Sequence, residues 1–112
     1  MKLISFIHST VAPVIKETPK ISQEKTRIVI ECQVRAASAP KVHWLKEHMI
    51  VKEDMRHSVK ITEVTKGQWM VILEINKPSE DNKGSYKLVA KNEKGEAASE
   101  TIQVDVDGNC HL

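Results

Sequence analysis

Three stretches of this chain alternate, residue by residue, between apolar and polar side chains. In RIVIECQV, Ile28, Ile30, Cys32 and Val34 fall on one face, and Arg27, Glu31 and Gln33 fall mostly on the other. In WMVILEI, Val71, Leu73 and Ile75 share a face, which turns Met70, Ile72 and Glu74 the opposite way. In GSYKLVAK, Tyr86, Leu88 and Ala90 oppose Lys87 and Lys91. A period of two belongs to a strand with one face buried, because successive side chains leave a pleated backbone on opposite sides. A helix would need an apolar stripe of period 3.6, and no stripe of useful length occurs.

The rest of the chain supplies more strands and the turns between them. Pro13 to Pro19 reads as an extended, proline-bounded lead-in suited to an edge strand. KVHWLK turns Val42 and Trp44 inward, and SVKITEV alternates through Val59 and Ile61 toward Val64. Lys66-Gly67 is a turn signal, NKPSEDNKG is a polar corner, and NEKG is a hairpin turn with Gly95 at the positive-φ position. ETIQVDV is the last strand. Many short strands with regular turn signals predict an all-β, antiparallel, two-sheet sandwich with Greek-key connections. Cys32, Trp44, Leu73, Tyr86 and Leu88 are expected to bury together at its centre.

The 112 residues suffice for one domain with one core. With 17 basic and 15 acidic residues interleaved, the net charge is only +2, which argues against a nucleic-acid partner. No apolar stretch approaches the roughly 18–20 residues of a membrane span. The apolar run Leu3 to Ile7 is shorter than the roughly 7–15 residues of a signal core, so residues 1–11 read as a flexible leader. The domain is placed at 12–106 and a flexible tail at 107–112. Two cysteines, Cys32 in a strand and Cys110 in the tail, make a sparser framework than small secreted domains carry, and both are expected to be free thiols.

The spacing Cys32, Trp44, Tyr86, with IECQV, APKVHWLK, LEI and above all GSYKLVAKNEKGEA, resembles the intermediate-set (I-set) immunoglobulin domains of twitchin- and titin-like giant muscle proteins. The resemblance runs from about Ala12 to Val106. It implies that Trp44 fills the space between the sheets and that the Tyr86 hydroxyl bonds back to backbone near Asn82. It also implies that Leu88 stands where many such sandwiches carry the second cysteine of a disulfide. A thiol and an isobutyl group pack there as two small hydrophobes, which suits a reducing compartment. Two departures stand out. The family's usual aspartate is Asn82 here, so an ion pair with Arg56 is not expected, and Lys25-Thr26 replace the usual glycine before the second strand.

Chemistry finds little purchase. His43 and His48, His57, and the Cys110-His111 pair do not fall at zinc-ligand spacing, and no metal or cofactor is expected. The Ser79–Asn82 corner has no cleft in which paired carboxylates would work, and neither GxSxG nor GxxxxGK[ST] is present, so the chain is not expected to be an enzyme. The five lysines between Lys77 and Lys94 read as a solvated surface.

The resemblance implies a structural and protein-interaction module of the cytoskeleton, cytoplasmic and sarcomeric. Such a module is a spacer and a docking site for filament proteins or for a neighbouring immunoglobulin domain, with no small-molecule substrate, nucleic acid or membrane as partner. A secreted or cell-surface adhesion domain, and a regulatory domain attached to a kinase, are the alternative readings. Alternation turns Val29, Met70 and Ile72 outward on adjacent strands, where they are expected to form a small apolar partner surface.

Overall fold

The computed structural model describes residues 11–106. Of the expected leader, residues 1–11, all but Val11 lie outside them, as does the expected tail, residues 107–112. Among the described residues the strands are β1 (Lys20–Gln23), β2 (Arg27–Arg35), β3 (Lys41–Lys46), β4 (Met49–Ile50) and β5 (His57–Thr65). They continue with β6 (Gln68–Asn76), β7 (Gly84–Asn92), β8 (Gly95–Ala98) and β9 (Ile102–Val104), and one 3-10 turn, Glu80–Asn82, precedes β7. One sheet runs β1-β2-β6-β5. The other runs β4-β3-β7-β8, with β9 also pairing β7. All pairings are antiparallel, which makes a two-sheet immunoglobulin-like sandwich.

The alternation of β2 and β6 explains their pairing. Ile30 stands opposite Leu73 and Cys32 opposite Val71, all buried, so each cross-strand step adds apolar area on the same face. On the second sheet Trp44 pairs Leu88, and the two faces meet in one cluster with Ile28, Val34, Ile75, Tyr86 and Val104.

Three strand expectations are corrected. The edge strand is not Pro13–Pro19: that segment makes a single bridge, Val14 to Arg35, and the ladder with β2 begins only at Lys20. Prolines cannot donate to a ladder, so the chain runs past Pro19 before its amides can pair in sequence. Val64 does not continue the inward set of β5. The register shifts between Glu63 and Thr65, leaving Val64 unpaired and exposed. The expected final strand ETIQVDV (100–106) shortens to Ile102–Val104, and just before it Ser99 N–H donates to Leu88 O while its hydroxyl accepts from Leu88 N–H.

The turns are built as their residues require. Gly67 takes φ +79° between β5 and β6, and Gly95 closes the β7–β8 hairpin at φ +151° against Asn92. Lys25-Thr26 need no positive φ: Glu24 N–H bonds Arg27 O, and Thr26 O accepts from Lys77 N–H.

Candidate functional site

The five central residues sit in one place. Trp44, Leu73 and Leu88 are fully buried, Tyr86 and Cys32 nearly so, and all belong to the same cluster. Cys32 is a free thiol whose Sγ lies 3.7 Å from Glu17 O and 3.8 Å from Gln33 O, either of which can accept its S–H. Burial, with a smaller contribution from the Glu17 charge, pushes it up to about 11. The Trp44 indole N–H has no hydrogen-bond partner among the described residues, whereas Trp69, which the sequence did not single out, donates to Ala36 O at 2.9 Å.

The corner between β6 and β7 is tied by hydrogen bonds. The Tyr86 hydroxyl donates to Asn82 O at 2.7 Å. Asn82 Oδ1 accepts from Ser79 N–H at 2.8 Å and from Arg56 Nη2 at 2.9 Å, so Asn82 and Arg56 do meet, through a charge-assisted hydrogen bond rather than an ion pair. Arg56 Nη2 also donates to Lys77 O at 2.8 Å, which stabilises a backbone held at positive φ. With its oxygen committed to two donors, the Asn82 amide nitrogen is left to donate to His57 Nε2 at 3.1 Å. His57 Nδ1 lies 2.8 Å from Asp54 Oδ1, and hydrogen bonds from the His57 ring and the Arg56 N–H hold that carboxyl below its usual range. The cluster is a structural clasp, with its donors and acceptors spent on one another.

The proposed partner residues lie on the outer face of the β1-β2-β6-β5 sheet. Ile72 pairs Glu31, Val29 pairs Glu74 and Met70 pairs Gln33, so Ile72 stands diagonal to Val29 and next to Met70 along β6. Each is partly buried, and the Arg27–Glu74 ion pair at 2.6 Å borders Val29. The patch is therefore an apolar strip between charged side chains rather than a broad apolar plain. Alternation does not mark the more exposed apolar residues Met49 and Ile50 on β4 at the other sheet's edge, nor Met55 in the bend before β5. Strand β4 is two residues long, too short for alternation to reveal it. Among the described residues no helix is long and apolar enough to cross a membrane. His/Cys/Asp/Glu side chains nowhere gather there in a group of three fit for a metal ion.

Comparison with known proteins places this geometry. The chain is 37% identical over 71 residues to fast-type myosin-binding protein C of Homo sapiens, a match that takes in 63% of this chain and 6% of that protein. It is 27% identical over 90 residues to titin of Drosophila melanogaster, 78% of this chain and a share of titin that rounds to 0%. The chain thus spans a small fraction of the curated relatives it matches. Among solved structures, titin M4 superposes with a TM-score of 0.68 at 24% identity, covering 86% of this chain and 96% of that one. The N-terminal eight immunoglobulin domains of Down Syndrome Cell Adhesion Molecule give 0.68 at 23% identity, covering 86% of this chain and 12% of that one. The family described as "Immunoglobulin I-set domain" matches residues 14–106, so on sequence, sheet order and the tyrosine corner together this chain belongs to the immunoglobulin I-set family.

Proposed function

We propose that this I-set domain is a non-catalytic structural and protein-interaction module of the cytoskeleton, cytoplasmic and sarcomeric, a spacer that also docks a filament protein. The observation that carries the reading is the 37% identity to a protein named for binding myosin. The free, buried Cys32 supports it, since a thiol packed with Leu88 instead of a second cysteine suits a reducing compartment. The docking surface in this reading is the strip of Val29, Met70 and Ile72, whose side chains face outward from two hydrogen-bonded strands. Cosedimentation with myosin filaments tests it. The parent domain is expected in the pellet, and the Met70→Lys, Ile72→Lys double variant in the supernatant with its melting temperature kept. A parent domain that stays in the supernatant removes myosin docking, and a double variant that still pellets removes the strip.

A further inference from the structure

The outer face of the β4-β3-β7-β8 sheet carries an arrangement that a solvated surface does not explain. Lys41 on β3 and Lys91 on β7 are direct cross-strand partners. Directly opposed side chains have Cβ atoms about 4.5–5.5 Å apart, and like charges so placed repel. Both lysines are exposed, and neither forms a hydrogen bond or ion pair among the described residues. Lys87, on the same face of β7, is likewise unpaired and stands opposite Leu45. Glu96 faces Lys91 from β8 but makes no ion pair with it, and Glu93 lines the cleft beside Lys41, His43 and Lys91, about 490 Å³ in volume. Among the described residues the three lysines of this face form no ion pair.

Between the lysines the face is aliphatic. Val89 lies midway between Lys87 and Lys91, opposite His43 on one side and Ala98 on the other, and Leu45 pairs Ile50 at the β4 edge. Four strand residues span about 13 Å, so β7 presents positive, apolar, positive at that repeat. A polyanion alone would use the charges and leave the aliphatic middle unused. Proteins that hold single-stranded nucleic acid interleave large aromatic side chains among their cations, and among the described residues this face has no Phe, Trp or Tyr.

We propose that this face docks an extended acidic segment of a partner protein, with two carboxylates four residues apart on Lys87 and the Lys41–Lys91 pair and an aliphatic side chain between them on Val89. The site is on the sheet opposite the strip of Val29, Met70 and Ile72 and does not depend on it. A peptide in extended form repeats every second residue on one face, as β7 does, so carboxylate, aliphatic and carboxylate fall in step with lysine, valine and lysine.

The test is a titration of isotope-labelled domain, followed by amide chemical shifts at low ionic strength, where such pairing is least screened. The probe is a short peptide with Glu, Val and Glu at alternate positions between threonines. Shifts are expected in Lys41–Leu45 and Lys87–Lys91 and not on the other sheet. The Lys41→Gln, Lys91→Gln variant should bind about tenfold more weakly, while Lys20→Gln, Lys60→Gln on the opposite sheet binds as the parent does. Its melting temperature should be kept or raised, because the substitution removes a repulsion. Absent shifts on this face, an equal loss in the control variant, or equal binding by a peptide with serine for valine would each overturn the proposal. Binding of oligothymidylate or phosphatidylserine vesicles to this face, where the peptide does not bind, would overturn it as well.

Discussion

Cys32 is where burial changes chemistry most. Only 3% of it is exposed, and its thiol pKa is pushed from 9.0 up to about 11, chiefly by desolvation and secondly by the Glu17 charge. A thiolate is the reactive species, so Cys32 in the folded domain should be inert to maleimide at neutral pH. In a Cys110→Ser background the native protein is expected to show no fast-reacting thiol and one after denaturation. Fast labelling of the native variant would contradict the burial. The same shift sets a pH dependence. In the unfolded chain the thiol ionises near 9, and in the folded chain near 11, so between these values the unfolded state has lost a proton that the native state keeps. Stability is therefore full below about pH 9 and falls as pH rises toward 11, by roughly 1.4 kcal/mol per unit for this group. Tyr86, also raised, mainly by burial, acts in the same direction. Urea midpoints followed upward from about pH 8 should decline, and Cys32→Ala should flatten that decline in part.

The turn from β6 into β7 is a unit built from residues far apart in sequence: Arg56, His57, Asn82 and Tyr86. Tyr86→Phe keeps the buried ring and removes only the hydroxyl, so Asn82 O loses its donor. The expected loss is about 1–3 kcal/mol, read as a lower melting temperature, and an unchanged melt would mean that the hydroxyl carries no weight. Strands β2, β6 and β7 were legible because their two faces meet different surroundings, which imposes a period of two on the residues. Strand β1 is not legible in the sequence because it is exposed along its whole length, so no alternation marks it, and the prolines before it signal an edge without saying where pairing starts. The bulge at Val64 was hidden because an inserted residue breaks the period without a glycine to announce it. Arg56 and Asn82 lie in separate segments, and local pattern holds no information on which distant donor meets which acceptor. For the same reason the facing lysines 41 and 91 became visible only once β3 and β7 had a register. The outward turn of Val29, Met70 and Ile72 follows from alternation alone, but the charged border around them depends on Arg27 reaching Glu74 across the ladder.

The sandwich holds because each sheet's apolar face is useless without the other, and Trp44 is the largest side chain fully buried between them. It pairs Leu88 within its own sheet and belongs to the cluster that Cys32 and Leu73 reach from the opposite one. Trp44→Ala should therefore weaken both sheets together, by about 3–5 kcal/mol, the range for deleting a large buried aromatic. A domain of this size has a total stability of roughly 5–15 kcal/mol, so the variant would stand close to unfolding. The unpartnered indole N–H refines the expectation. A buried donor without an acceptor opposes folding, so Trp44→Phe loses ring area but also removes that cost, and it should fall well short of the alanine variant's loss. Urea unfolding can be followed by tryptophan fluorescence, which reports on Trp44 and Trp69 in the parent and on Trp69 alone in the variants, and by far-ultraviolet circular dichroism, which reports on all strands. Coincident transitions shifted to lower urea, in the order parent, Trp44→Phe, Trp44→Ala, are expected for a single cooperative core. Separate transitions for the two probes would mean that the sheets unfold independently, and a Trp44→Ala midpoint near the parent's would mean that the core closes without the tryptophan.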